Sequence, residues 1–174
     1  MTTAPDTRTR IQEVARELFL KQGVQNTSLK HIADRLGITK PALYYHFASR
    51  DDLLKSIVQP FLDDMEAFLT DREPTGRRQL LEEYFDVIWR HRDVFTVFLQ
   101  ASATLVELNL MDRIWEGRKR LVALLLGPDS STAAQIRATV ALGGLADCVM
   151  EHATVPFDEV RTIAVEAALN ALAL

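Results

Sequence analysis

The sequence predicts an all-α protein of about nine helices, with a small three-helix domain at residues 1–50 followed by a helical bundle at 51–174. Three observations carry this. Apolar residues recur at the 3.6-residue spacing of one helix face in nearly every segment. Capping residues and prolines fall at the joints between those segments. No segment shows the period-2 alternation of a strand, and no hairpin dipeptide separates strand-like runs. At 174 residues, 48 % apolar and 25 % charged, the chain is long enough to fill a core and has an ordinary globular balance. No run approaches the roughly 18 consecutive apolar residues that span a bilayer, so no membrane partner is expected. The polar start MTTAPDTRTR lacks the apolar stretch of a secretory leader. A single cysteine, Cys148, excludes an intrachain disulfide framework, and a reducing, cytoplasmic setting is expected.

Taken in order, Ile11, Val14, Ala15, Leu18 and Phe19 lie on one stripe of a helix from Arg8 to Lys21, and Gly23 stands where a terminating glycine belongs. In TSLKHIADRLG, Ser28 or Thr27 is the N-cap, Leu29, Ile32, Ala33 and Leu36 form the buried face, and Gly37 ends the helix. Thr39 caps a third helix with Pro41 in its first turn, where the missing N–H costs nothing. Ser49 with Asp52 resembles a capping box and starts a long helix to about Thr70. The stretch REPTGR (Arg72 to Arg77) breaks it. Helices follow at about 77–91, 94–106 and 109–126, then a linker GPDSS and two longer helices at about 132–153 and 157–173. Pro156, Asp158 and Glu159 suit the start of the last, where carboxylates meet the positive end of the helix dipole.

The third helix, in the stretch LGITKPALYYHFASRDDLL, poses the functional question. At about 100° per residue, Leu43 and Phe47 share an inward stripe. Pro41 and Tyr45 then point directly outward, flanked by Lys40 and Tyr44 on one side and by Ala42 and His46 on the other. Tyrosine and threonine hydroxyls and helix N-terminal amides donate to phosphate oxygens, and a lysine neutralises them. Pro41, Ala42 and the tyrosine rings can press on thymine methyls in a major groove, and Lys40 can reach guanine O6 and N7. Two short helices joined by GIT form a helix-turn-helix, which places its second helix in that groove. The competing interpretation is a solvated helix whose aromatics meet another protein. The charge distribution favours an anionic partner at the front. Residues 1–60 hold 9 Lys and Arg against 6 Asp and Glu, while residues 61–174 hold 11 against 18, within a net charge of −4.

Thr27-Ser28, Ile32-Ala33, Gly37-Ile38-Thr39, Pro41, Leu43-Tyr44, His46-Phe47, Ser49-Arg50 and Leu53 together resemble the N-terminal pattern of the TetR family of one-component bacterial transcriptional regulators. The resemblance covers about 45 residues. Two positions depart from it: Arg50, where lysine is more usual, and His31, where an acid is common. It implies phosphate contacts from Thr27, Thr39, Tyr45, His46 and Arg50, and base or base-edge contacts from Lys40, Pro41, Ala42 and Tyr44. Ser28 and Lys30 on the first turn of the second helix are placed to face DNA as well.

A lone helix-turn-helix gains too little affinity, so such proteins bind double-stranded operator DNA as dimers, with half-sites about 34–36 Å apart or a multiple of that. The last two helices offer an apolar face for a homodimer: Ile136, Val140, Gly143 and Gly144 on the first, Val160, Ile163, Ala164, Ala167 and Ala168 on the second. The alternative is that they pack only within the subunit. The middle helices are bulky, and the resemblance implies that they enclose a pocket for a small, mostly apolar effector. Phe85, Trp89, Phe98, Met111, Trp115, Cys148 and His152 are the candidate lining, against the alternative of a solid core. Further polar candidates are Gln100, Ser102, Thr104, Asn109 and Asp147.

No GxSxG, P-loop, GxGxxG or HExxH occurs, so neither an enzyme nor a cofactor is expected. In DCVMEH, Cys148 and His152 stand four apart on a helix, a spacing for two metal ligands, but zinc takes four and no second pair is visible. The expected protein is a homodimeric repressor released by an effector. The other class is a helix-turn-helix interaction or scaffold protein that has lost operator binding.

Overall fold

The computed structural model describes residues 6–70, 72, 76–128 and 130–173; the side chains of 98–100, 102 and 103 lie outside the description. Among the described residues every regular element is a helix. They are α1 (Thr7–Gln22), α2 (Leu29–Leu36), α3 (Lys40–His46), α4 (Arg50–Leu69), α5 (Arg77–Arg90), α6 (Arg92–Gln100), α7 (Ser102–Glu107), α8 (Met111–Leu126), α9 (Thr132–Glu151) and α10 (Phe157–Ala173). No helix among these residues is long and apolar enough to cross a membrane.

The single helix expected at 94–106 is two helices, because Ala101 sits at φ −104°, ψ 14°, outside the helical well. The next helix starts at Met111 rather than 109. Asn109 takes a left-handed φ of 56°, which asparagine tolerates better than most residues. The Leu110 N–H then reaches back 3.0 Å to the Leu105 carbonyl and closes α7. In the REPTGR break, Glu73, Pro74 and Thr75 lie outside the described residues.

Side-chain caps explain where α1, α2, α3, α4 and α9 begin. Ser28, Thr39 and Ser131 accept the backbone N–H groups of His31, Ala42 and Ala134, each an otherwise unpaired donor of a first turn. Asp6 does the same for Arg8 and Thr9 at the start of α1. At α4, Ser49 Oγ accepts the Asp52 N–H at 3.0 Å while Asp52 Oδ2 accepts the Ala48 N–H at 3.2 Å. The box thus closes on Ala48, one residue before its usual partner. Gly37, at φ 67°, donates back to Ala33 and Asp34 and ends α2. Inside α4, Pro60 has no N–H for the Ser56 carbonyl four residues earlier. Gln12 of α1 fills that vacancy, its Nε2 lying 3.3 Å from the Ser56 carbonyl and 3.0 Å from Ser56 Oγ.

The chain forms two compact units: residues up to Pro60 with Asp93–Met111, and Phe61–Arg92 with Asp112–Leu174. The N-terminal unit is larger than residues 1–50, since α4 joins it through Leu53, Leu54, Ile57 and Val58, all fully buried. Its core is built on Ile11, Ala15 and Phe19 of α1, Ile32 and Ala33 of α2, and Leu43 and Phe47 around α3. Val14, Leu18 and Leu36 are only half-buried. In the second unit α5, α9 and α10 pack on one another through Leu80, Leu81, Phe85 and Ile88, Ala138, Leu142, Leu145 and Val149, and Val165. Arg161 of α10 clamps Asp86 of α5 with both carboxylate oxygens engaged, at 2.6 and 3.1 Å. Asp64 accepts from His91 Nε2 at 2.8 Å and from Arg90 at 3.0 Å, and these two hydrogen bonds, His91 first, hold its carboxyl below the usual aspartate range.

Candidate nucleic-acid interface

A seven-residue helix is too short to stand alone in water, so α3 exists because its neighbours hold it. Leu43 and Phe47 have no exposed surface, and burying each contributes roughly 1.5–3 kcal/mol. With that stripe fixed inward, the outward set follows. Tyr45 is 86 % exposed and Tyr44 45 %, and Thr39, Lys40, Pro41 and Ala42 are exposed beside them. His46 is half-buried and its ring meets Tyr45 edge-on at 5.2 Å. Lys40 Nζ lies 5.6 Å from the centre of the Tyr44 ring, so cation and aromatic form one flank of the helix. Thr39 spends a lone pair on its cap, which leaves its O–H proton free to donate outward. Ser28 does likewise at α2.

Between the starts of α2 and α4 and the side of α3 lies a cleft of about 500 Å³. Ser28, Lys30, Lys40, Tyr44, Ser49 and Arg50 line it. Asp51 also lines it, 3.7 Å from Arg50, so three cations outweigh one carboxylate beside two capped helix N-termini, a lining that suits an anion. Lys30 is shared with Asp34, 2.7 Å away, and both are well exposed.

Two expected phosphate contacts are also engaged within the unit. Thr27 lines the cleft but is buried: its hydroxyl donates to the Gly23 carbonyl at 2.9 Å and accepts from Gln22, so it closes the α1–α2 turn. Arg50 lines the cleft, but its Nη1 donates to the Val24 and Gln25 carbonyls at 3.3 and 3.4 Å, tying α4 to that turn. Residues the sequence did not single out complete the frame. Gln25 Nε2 donates to the buried Thr104 of α7 at 2.7 Å. Arg8 of α1 donates to the His46 carbonyl at 2.9 Å and lies over the Phe47 ring, 4.3 Å from its centre. Nothing in a linear pattern marks either pair, since the partners stand 79 and 38 residues apart.

Residues 11–57 match the sequence model of the bacterial regulatory proteins of the tetR family. Over that segment the chain is similar to the TetR family. It is 40 % identical over 67 residues to an HTH-type transcriptional regulator of Staphylococcus aureus (strain USA300), a match covering 38 % of this chain and 35 % of that relative's own length. Beyond that segment the likeness is of fold. A regulator of the TerR/AcrR family from Aquifex aeolicus VF5 superposes with a TM-score of 0.73 at 24 % identity, covering 93 % of this chain and 97 % of that one. AmtR of Mycobacterium smegmatis gives 0.78 at 21 %, covering 99 % and 89 %.

The residues expected around an effector are only partly brought together. Phe85 and Trp89 stack at 5.7 Å, and Phe157, which the sequence left unassigned, packs on both at 6.0 and 5.5 Å. Trp115 is 54 % exposed, because the inward stripe of α8 is Leu121 and Leu125 and Trp115 falls off it. His152 and Asp147 are exposed and Cys148 is half-buried, with its thiol pushed up by burial and by Asp147. Met111 belongs to the N-terminal unit, half-buried, and the Phe98, Gln100 and Ser102 side chains lie outside the described residues. Thr104 is engaged by Gln25 and Asn109 forms the left-handed turn. Among the described residues no three metal-ligating side chains converge.

The expected dimer residues divide into two sets. Val160, Ala164 and Ala168 are buried in their own subunit, on a stripe with Leu172 that serves the core. Ile136, Val140 and Ile163 are 60, 61 and 63 % exposed, and Gly144 and Ala167 are exposed as well, with Gly143 half-buried. A Cβ placed on Gly144 would meet nothing within 4 Å, whereas one on Gly143 would meet Arg118 at 3.9 Å.

Proposed function

We propose that the chain is a DNA-binding transcriptional regulator, a homodimeric repressor that holds a palindromic operator and is released by a small, mostly apolar effector. The observation that carries DNA binding is α3. Its inner residues are consumed by the core, and it turns Lys40, Pro41, Ala42, Tyr44 and Tyr45 outward beside a cationic cleft, within a family of regulatory proteins. Lys40, Tyr44, Pro41 and Ala42 read base edges; Thr39, Ser28, Tyr45 and His46 take phosphates, and Arg50 both lines the cleft and ties the turn beneath it. The second copy meets this one through Ile136, Val140, Gly144, Ile163 and Ala167, which are exposed on α9 and α10. The effector binds in the second unit, with the Phe85, Trp89 and Phe157 rings on one wall. α4 runs from the first unit into the second and is one continuous covalent path between the two events. A ligand that prefers one arrangement shifts the other by its differential affinity alone.

The test is to let the purified protein select duplexes from random DNA. The expected product is a near-palindrome bound with a steep salt dependence, log K falling by about 0.9 per phosphate contact per unit of log salt. Lys40→Ala with Tyr44→Ala abolishes selection while the circular dichroism melt is retained. A protein that enriches no duplex even at low salt refutes the reading and leaves the scaffold alternative.

A further inference from the structure

We propose that Arg8 is a positioning residue for α3, fixing the angle at which Tyr44 and Tyr45 are presented; this rests on the DNA-binding reading above. The geometry starts from what α3 lacks. A helix of seven residues has almost no internal hydrogen-bond ladder, so its direction is set at its two ends and by its buried stripe. The N-terminal end has Thr39, bonded to the Ala42 N–H at 3.3 Å. At the C-terminal end the chain leaves the helical region at Phe47, φ −141°, so the His46 carbonyl has no following turn to bond. Arg8 supplies that donor at 2.9 Å. A cation there also meets the negative end of the helix dipole. The same guanidinium lies on the Phe47 ring, which is wholly buried in the core. Arg8 is itself held, because Asp6 caps the first turn of α1 through the Arg8 and Thr9 N–H groups. One side chain therefore joins the first turn of α1, the C-terminal end of α3 and the aromatic anchor beneath it.

An exposed arginine on a DNA-binding unit could instead touch a phosphate, and the two roles differ in salt dependence. The measurement uses the full-length protein, the duplex it selects from random DNA, and an unrelated duplex of equal length. Arg8→Met is expected to weaken the selected duplex by about tenfold or more, the size of one charge-assisted hydrogen bond. Affinity for the unrelated duplex stays within about twofold, and the slope of log K against log salt does not change. Arg8→Lys recovers part of the loss. In the free protein, amide hydrogen exchange rises in Arg8→Met at Tyr45, His46 and Phe47 but not across α2. A slope reduced by about 0.9 would make Arg8 a phosphate contact and overturn the proposal. So would an unchanged affinity, or faster exchange across α2 and α3 alike. If the wild-type protein selects no duplex, the DNA reading falls, and the exchange pattern alone decides whether Arg8 anchors α3.

Discussion

Tyr84 shows how one buried atom sets a pH limit. Its hydroxyl is buried on α5, and burial pushes it up to about 12 from the ordinary 10, with Arg118 pulling weakly the other way. The fold favours the neutral phenol, so this contribution is intact below the ordinary value and is lost as pH rises from about 10 toward 12. Denaturant melts at pH 9 and pH 11.5 should show a steeper alkaline loss in the wild type than in Tyr84→Phe; equal losses would mean the hydroxyl is hydrated. Residues of this kind are half-legible in a sequence. The inward turn of Leu43 and Phe47 and the outward turn of Tyr45 followed from spacing alone, because a helix repeats every 3.6 residues. The burial of Thr27 did not, since its hydroxyl answers to Gly23 and Gln22 across a turn that a wheel does not describe. Arg8 was invisible for the same reason at longer range.

Helices were placed well by their ends. Ser28, Gly37, Thr39 and Ser49 act where their chemistry predicts, because capping is a local exchange between a side chain and amides two or three residues away. The split at Ala101 was missed because alanine is the best of helix formers and carries no stop signal. On α9 and α10, apolar periodicity showed which residues are apolar but could not divide the core stripe of Ala164 and Ala168 from the outer one of Ile163 and Ala167, as each is a plausible buried face. Gly144 sharpens that division. It sits within a 20-residue helix at a cost of about 1 kcal/mol relative to alanine, and a Cβ added there would meet nothing within 4 Å beyond its own helix backbone. Gly144→Ala should therefore raise the melting point of dilute subunits and weaken self-association in sedimentation equilibrium. Unchanged association would show that no second helix approaches closely there.

For the molecule as a whole, fold class was legible and assembly was not, since an exposed Ile136 or Ile163 is a fact of three dimensions. Ile136→Glu with Ile163→Glu is expected to give a monomer in sedimentation velocity, with a preserved helical spectrum and a loss of selected-duplex affinity of at least a hundredfold. A variant that stays dimeric would move the interface elsewhere. The two tryptophans add a consequence of their surroundings. Trp89 is stacked in an aromatic cluster while Trp115 stands half in solvent on α8. The half-buried Trp89 beside the Phe85 ring is thus expected to emit at shorter wavelength, and to be quenched less, than the exposed Trp115. Trp89→Phe and Trp115→Phe give single-probe proteins, so that events within the ring cluster and events at the outer surface of α8 can be followed optically and apart, without any dye.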